Sequence, residues 1–294
     1  MTQDSEGFLD VPGGKVWFHV VGDLTAAPPL LCLHGGPGFP SYSQEPLDRL
    51  AGDRAVVRWD QLGCGRSERP DDVFLWTIER FVEEVDVVRS ALGVEQIHLY
   101  GHSWGGMLAM EYVIRRKPEL QSLILSSAPA DTEMWERDTA ALKATLPPET
   151  QEAIETHEAA GTYDAPEYQA AMREYYVRYV TRMDPLPYLM QKTIAEAGMP
   201  VYNHMWGPSE FTVTGTLRGW SVLDRVHEID VHTLLLVGEY DECTPAHVAA
   251  VHERLPSSEM HVFEGAGHST LMEKTEEYLA LLKEFLDRMD ARDG

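Results

Sequence analysis

Gln96-Ile97-His98-Leu99-Tyr100-Gly101-His102-Ser103-Trp104-Gly105-Gly106-Met107 is the stretch that decides how this chain folds. A short apolar run ends at a glycine, a serine follows two residues later, two glycines come next, and a helical pattern occupies 108–116. That is strand, tight turn and helix, with a G-x-S-x-G elbow at Gly101, Ser103 and Gly105. A serine on so sharp a turn takes a strained backbone conformation, and small residues on either side let strand and helix pass closely. The hydroxyl then stands clear of the sheet, and the start of the helix offers a backbone N–H to an oxyanion.

Upstream, residues 8–11 and 15–21 alternate apolar and polar around Pro12-Gly13-Gly14, which predicts an opening β-hairpin. Residues 29–33 read as a buried strand running into His34-Gly35-Gly36-Pro37-Gly38. A strand ending in that many glycines exposes backbone N–H groups above the sheet. Beside Ser103 this reads as an oxyanion loop, with Gly36 the candidate donor. Residues 54–60 form the next strand and lead into Gln61-Leu62-Gly63-Cys64-Gly65-Arg66-Ser67. Helical periodicity over 76–92 (Phe81, Val85, Val88, Leu92) stops at Gly93. Strands at 96–100 and 120–125 flank the elbow's helix. Such alternation defines an α/β chain whose mostly parallel sheet is covered on both faces.

After Ser126-Ser127-Ala128-Pro129-Ala130 the rhythm breaks. Roughly 90 residues follow without a buried strand, far more than a crossover needs. Residues 131–145, 148–159, 166–182 and 186–197 look helical and are rich in Tyr and Trp. We expect an all-helical cap at 131–221 inserted into a catalytic domain made of 1–130 and 222–294. The alternation resumes with a helix at 222–228, a strand at 233–237, a helix at 245–254, a strand at 260–263 and a closing helix at 271–289.

A serine nucleophile needs a histidine base and an acid that orients it. In this architecture they follow in the order serine, acid, histidine. Beyond the strand at 233–237 lies Gly238-Glu239-Tyr240-Asp241-Glu242-Cys243-Thr244-Pro245, which puts Asp241 in place, with Glu239 and Glu242 as competitors. The last strand leads into Phe263-Glu264-Gly265-Ala266-Gly267-His268-Ser269, which puts His268 in a small-residue loop before the closing helix. His102 sits on the elbow itself, too local to reach around to Ser103 as the base. A serine at 103 also excludes the carboxylate nucleophile of dehalogenase and epoxide-hydrolase chemistry.

Composition excludes several classes. The 294 residues are 44% hydrophobic, which suits one large α/β domain with an insertion. With 48 acidic against 24 basic residues, the net charge is −24. Nucleic acids and anionic membranes are therefore poor partners. Three cysteines without paired spacing argue against a disulfide framework or a zinc site, and Cys32 lies in a core strand. Neither a metal nor an organic cofactor is expected. The acidic N-terminus, Met1 to Glu6, lacks the basic and apolar regions of a signal peptide, and no apolar run reaches membrane-spanning length. A soluble cytoplasmic protein is expected.

Together these motifs resemble the proline iminopeptidases and the related aminopeptidases and amino-acid amidases of the α/β-hydrolase fold. The likeness runs over nearly the whole chain: HGGPG at 34–38, DQLGCGRS at 60–67, GHSWGG at 101–106, GPSEFTVTG at 207–215, GEYDECTP at 238–245 and GAGH at 265–268. Position 62 is Leu where many proline iminopeptidases read Arg. The resemblance implies Ser103 as nucleophile, Asp241 and His268 as its partners, and the N–H groups of Gly36 and Trp104 as oxyanion hole. It also implies that Glu210 and Glu242 grip the substrate's free amino group. An exopeptidase must tell a chain's first residue from an internal one, and buried acceptors around the α-ammonium make that discrimination large. Glu210 lies in an aromatic, turn-rich setting, with Tyr202 and Trp206 as candidate pocket walls. The expected partner is a small peptide or amino-acid amide with a free N-terminus. The implied activity is a serine aminopeptidase working through an acyl-enzyme, with proline the favoured residue. The alternative is an amidase or esterase on small α-amino-acid amides or esters. An intact triad argues against a third reading, a non-catalytic binding module.

Overall fold

Around Pro12-Gly13 the chain doubles back, β1 (Asp4–Val11) pairing with β2 (Gly14–Val21) from Asp4↔Val21 to Val11↔Gly14. Gly13 takes φ +95°, a backbone conformation a side chain would resist. The computed structural model describes residues 4–292, so Met1 to Gln3 of the acidic N-terminus lie outside the described residues. Asp4 to Glu6, the rest of that acidic stretch, already belong to β1.

The remaining elements follow in order. β3 (Leu30–Leu33) and β4 (Val56–Trp59) are separated by a 3₁₀ segment, Ser41–Leu50. Then come α1 (Ile78–Leu92), β5 (His98–His102), α2 (Trp104–Arg116) and β6 (Ser122–Ser126). Five helices succeed one another: α3 (Thr132–Lys143), α4 (Pro148–Ala160), α5 (Pro166–Tyr179), α6 (Tyr188–Ala195) and α7 (Met199–Met205). The chain closes with β7 (Thr233–Gly238), α8 (Pro245–His252), β8 (Ser258–Phe263), α9 (Thr270–Glu273) and α10 (Thr275–Asp290). α7 was not anticipated. The expected helix at 222–228 is a 3₁₀ turn, Leu223–Glu228.

The eight strands form one sheet in the order β1-β2-β4-β3-β5-β6-β7-β8, in which β2 alone runs against the others. Successive strand side chains point to opposite faces, and the apolar residues divide accordingly. Leu31, Leu33, Val57, Leu99, Leu123, Leu125, Leu235 and Val237 join the core with α1, α2 and α8. Leu30, Cys32, Val56, Tyr100, Ile124, Leu234 and Leu236 join the core under Ser41–Leu50 and α10. Both faces are thus buried, as parallel strands require.

Two boundaries move for physical reasons. β5 runs to His102 rather than stopping at Tyr100, because Gly101 and His102 still pair with Leu125 and Ser126. The turn is therefore confined to Ser103, and the helix begins at Trp104 rather than 108. The single closing helix is two, broken where Lys274 leaves helical geometry at φ −128°, ψ 38°.

Between β6 and β7 no strand longer than an isolated bridge occurs. One such bridge joins Asp131 to Ser221, and the Val222 amide donates to the Ala130 carbonyl at 2.9 Å, so the segment's two ends meet. Trp135, Val201, Tyr202, Met205, Trp206, Val213 and Leu217 merge into the larger sheet core. α4 and α5 hold a small core of their own, with Ile154, Tyr168, Tyr175 and Phe211.

Candidate active site

Ser103 sits between β5 and α2 at φ 54°, ψ −123°, a conformation L-residues rarely adopt. The surroundings over-determine it. Its amide donates to the Ser126 carbonyl at 2.9 Å, and its carbonyl accepts from the Gly106 amide at 2.8 Å. The glycines are there for close approach: a methyl on Gly105 would run into the Leu33 carbonyl, and one on Gly101 into Gly105. A methyl on Gly35 would stand 3.2 Å from the Ser103 Cβ, so the HGGPG loop lies directly over the serine. Gly36 adopts φ +116° within that loop. Trp104 is the first residue of α2, and its amide has no intrahelical acceptor.

Gln61, which sequence reasoning passed over, ties these pieces together. Its amide donates to His34 Nε2 at 2.8 Å, its Nε2 donates to the His34 carbonyl at 3.2 Å, and its Oε1 accepts from the Trp104 indole at 2.9 Å. Burial pulls the His34 pKa below its ordinary value, which suits a neutral ring accepting from Gln61. The signal for Gln61 was its place at a strand end beside a glycine-rich run.

Of the three acids left open after β7, Asp241 is the one bonded to the histidine: His268 Nδ1 donates to Asp241 Oδ1 at 2.7 Å. The Cys243 amide at 2.8 Å and the Gly238 amide at 3.4 Å also donate to Asp241, fixing its carboxylate. Glu239 is turned elsewhere and accepts from the Gly265 amide. Both Asp241 and His268 are buried. Burial alone would pull the His268 pKa down, but Asp241, with Glu242 and Glu210 behind it, raises it to about 9.

His268 reaches the elbow through His102. The two rings lie 4.9 Å apart, and His102 Nε2 donates to the His268 carbonyl at 3.1 Å, as does Ser127 Oγ at 3.3 Å. Burial, followed by the nearby His268, lowers the His102 pKa to about 4, so it is a neutral donor and not a base. On its other side the His268 loop hangs from α5: the His268 amide donates to the Tyr179 carbonyl at 2.9 Å and the Ser269 amide to Val180 at 2.8 Å.

Glu242 and Glu210 converge on the same place. Glu242 is fully buried and neither carboxylate oxygen has a hydrogen-bond partner. Burial pushes its carboxyl well above the usual range, and the neighbouring Glu210 pushes it further. The Tyr175 hydroxyl is close enough to act on Glu242, yet it too lacks a well-formed hydrogen bond. Glu210 keeps some exposed surface, but protein surrounds its carboxyl, and burial raises its pKa against the opposing pull of His268. Its carbonyl accepts from the indoles of Trp135 at 2.8 Å and Trp206 at 3.1 Å, and its amide donates to the Tyr176 hydroxyl at 3.3 Å. Trp206, expected as a pocket wall, thus braces the Glu210 backbone. Tyr202 is buried with its hydroxyl near Glu210. Trp135, missed in the sequence, presents its ring edge to His268 at 5.9 Å and so spans the two halves of the site.

A sheet of this order, a strained serine elbow, and an acid–histidine pair beyond the last two strands define a class. The chain belongs to the α/β-hydrolase fold family, whose model matches residues 28–275. Its relatives narrow the group to the proline iminopeptidase family. The proline iminopeptidase of Heyndrickxia coagulans is 40% identical over 284 residues, spanning 96% of this chain and 99% of that protein. The crystal structure of proline iminopeptidase from Mycobacterium smegmatis superposes with a TM-score of 0.91 at 37% identity, covering 99% of this chain and all of that one. The crystal structure of VinJ gives 0.94 at 37% identity over 97% and 99% of the two chains. Among the described residues, no helix is long and apolar enough to cross a membrane.

Proposed function

We propose that this chain is a serine aminopeptidase that releases an N-terminal amino acid, proline foremost, from small peptides. The observation that carries this reading is Glu242: a fully buried carboxylate whose oxygens accept no well-formed hydrogen bond, one residue from the acid that holds His268. Leaving such a group bare costs a few kcal/mol, and a cation that pairs with it recovers that cost on binding. A substrate's α-ammonium is such a cation, and Glu210 supplies the second acceptor. The name shared by the relatives supports the peptidase reading over the small-amide or ester one.

In this reading Ser103 Oγ attacks the carbonyl of the first residue while His268 takes its proton. Asp241 holds the imidazole tautomer and stabilises the imidazolium. The amides of Gly36 and Trp104 receive the negative charge that develops on the carbonyl oxygen. His268 then protonates the departing amine, and water, activated by the same histidine, releases the amino acid from Ser103. Residues 131–221 act as the cap. They carry Glu210, whose carboxyl lies close enough to act on Glu242 and His268.

A panel of amino-acid para-nitroanilides tests the reading, with Ser103→Ala and Asp241→Asn as controls. Prolyl substrate is expected to turn over fastest. Ser103→Ala should lose activity by orders of magnitude, and Asp241→Asn about 10⁴-fold in kcat, since the histidine then takes the wrong tautomer. Full activity in Ser103→Ala would sink the mechanism.

A further inference from the structure

Asp241, Glu242 and Glu210 are three carboxylates around one imidazole, and Asp241, Glu242 and His268 are all at most 5% exposed. Facing His268 are neutral His102 on the elbow and the Trp135 ring on α3; the hydroxyls of Tyr175 and Tyr176 on α5 face Glu242 and Glu210, and Glu273 accepts from the Gly267 amide. Arg182 stands on the outer side of that loop, donating to the Gly265 carbonyl. Among the described residues, neither glutamate is paired with a Lys or Arg, so His268 is the positive charge that acts on them. A buried group of carboxylates cannot stay fully ionised without compensating charge; it takes up protons instead. The protons are shared by the cluster rather than owned by one residue.

We propose that the substrate's ammonium switches on its own base: seating the cation between Glu210 and Glu242 expels a proton from the His268–carboxylate cluster and leaves His268 free to accept one from Ser103. The exchange is balanced, one ammonium charge entering as one proton leaves to solvent. This rests on the amine-binding reading above and deepens it. Discrimination then falls on kcat as well as on binding. A capped substrate that reaches the pocket meets a histidine still carrying its proton, held there by Asp241 at 2.7 Å and by the two uncompensated glutamates.

Isothermal titration of the wild-type protein with L-prolinol tests this. That probe has a protonated amine and no scissile bond. Its ether analogue, tetrahydrofurfuryl alcohol, has neither. Comparing heats in phosphate and Tris at neutral pH gives the number of protons exchanged. Prolinol is expected to release about one proton per site, and its affinity to rise about tenfold per pH unit where that proton is exchanged. Glu242→Gln should lower the count, because fewer carboxylates then hold protons in the free site. Prolinol binding without proton release, or with pH-independent affinity, overturns the inference and leaves amine recognition standing. An undiminished count in folded Glu242→Gln also overturns it, since the proton would then have come from the ligand's amine. Failure of prolinol to bind, or equal binding of the ether, removes the amine-binding reading itself.

Discussion

Glu242 carries a cost that function explains and stability does not. A fully buried acid without a partner is among the few groups whose removal helps a fold. Glu242→Gln should therefore raise Tm by a few degrees, about 1 kcal/mol or more, while kcat/KM on free-amine substrates falls roughly ten- to a hundredfold. Thermal melts and kinetics on the same preparation check both halves; a lower Tm would mean that Glu242 holds the fold together. His102 makes a prediction of opposite chemical sign. Its pKa is about 4 in the folded chain against an ordinary 6.5. Its contribution is thus complete above pH 6.5 and is lost as pH falls towards 4, because the unfolded chain binds the proton first. His102→Gln should flatten the decline of Tm over that window. An unchanged acid limb would show that other groups set it.

At the scale of elements, the nucleophile turn depends on backbones that touch. Gly105→Ala places a methyl against the Leu33 carbonyl inside the sheet–helix contact, where backbone cannot yield cheaply. It should destabilise the chain by about 1–3 kcal/mol and abolish activity. Gly52 has open space around it and an ordinary φ. Gly52→Ala should be neutral or stabilise by up to about 1 kcal/mol. Denaturant melts of the two variants decide this, and equal destabilisation would contradict the packing account. The same contact explains what sequence could show. Gly101, Ser103 and Gly105 announce strand, turn and helix because only small residues permit them. The exact strand end stayed hidden because glycine continues a ladder as readily as it ends one, and β5 pairs through Gly101 to His102. The break at Lys274 had no glycine or proline to mark it. The order serine, acid, histidine was legible, as was the His268–Asp241 pair. The supports were not, because Gln61, Trp135 and the carbonyls of Tyr179 and Val180 act through contacts remote in sequence.

Across the whole molecule, the helices between β6 and β7 and the sheet's loops are interlocked. α5 holds the His268 loop by its carbonyls while its Tyr175 and Tyr176 face the two glutamates. The Gly198 amide between α6 and α7 donates to the Gly38 carbonyl of the HGGPG loop at 2.7 Å. The two glutamates, His268 and the HGGPG loop are therefore held by one packed unit. The most direct test of this account is kcat/KM on prolyl para-nitroanilide against N-acetylprolyl para-nitroanilide, in the wild type and in Glu210→Gln. Two charge-assisted hydrogen bonds, each about 1.5–3 kcal/mol, predict that the wild type prefers the free amine by at least about a hundredfold, and that Glu210→Gln narrows the gap by about ten- to a hundredfold. Equal rates on the two substrates, or an unchanged ratio in Glu210→Gln, would contradict it.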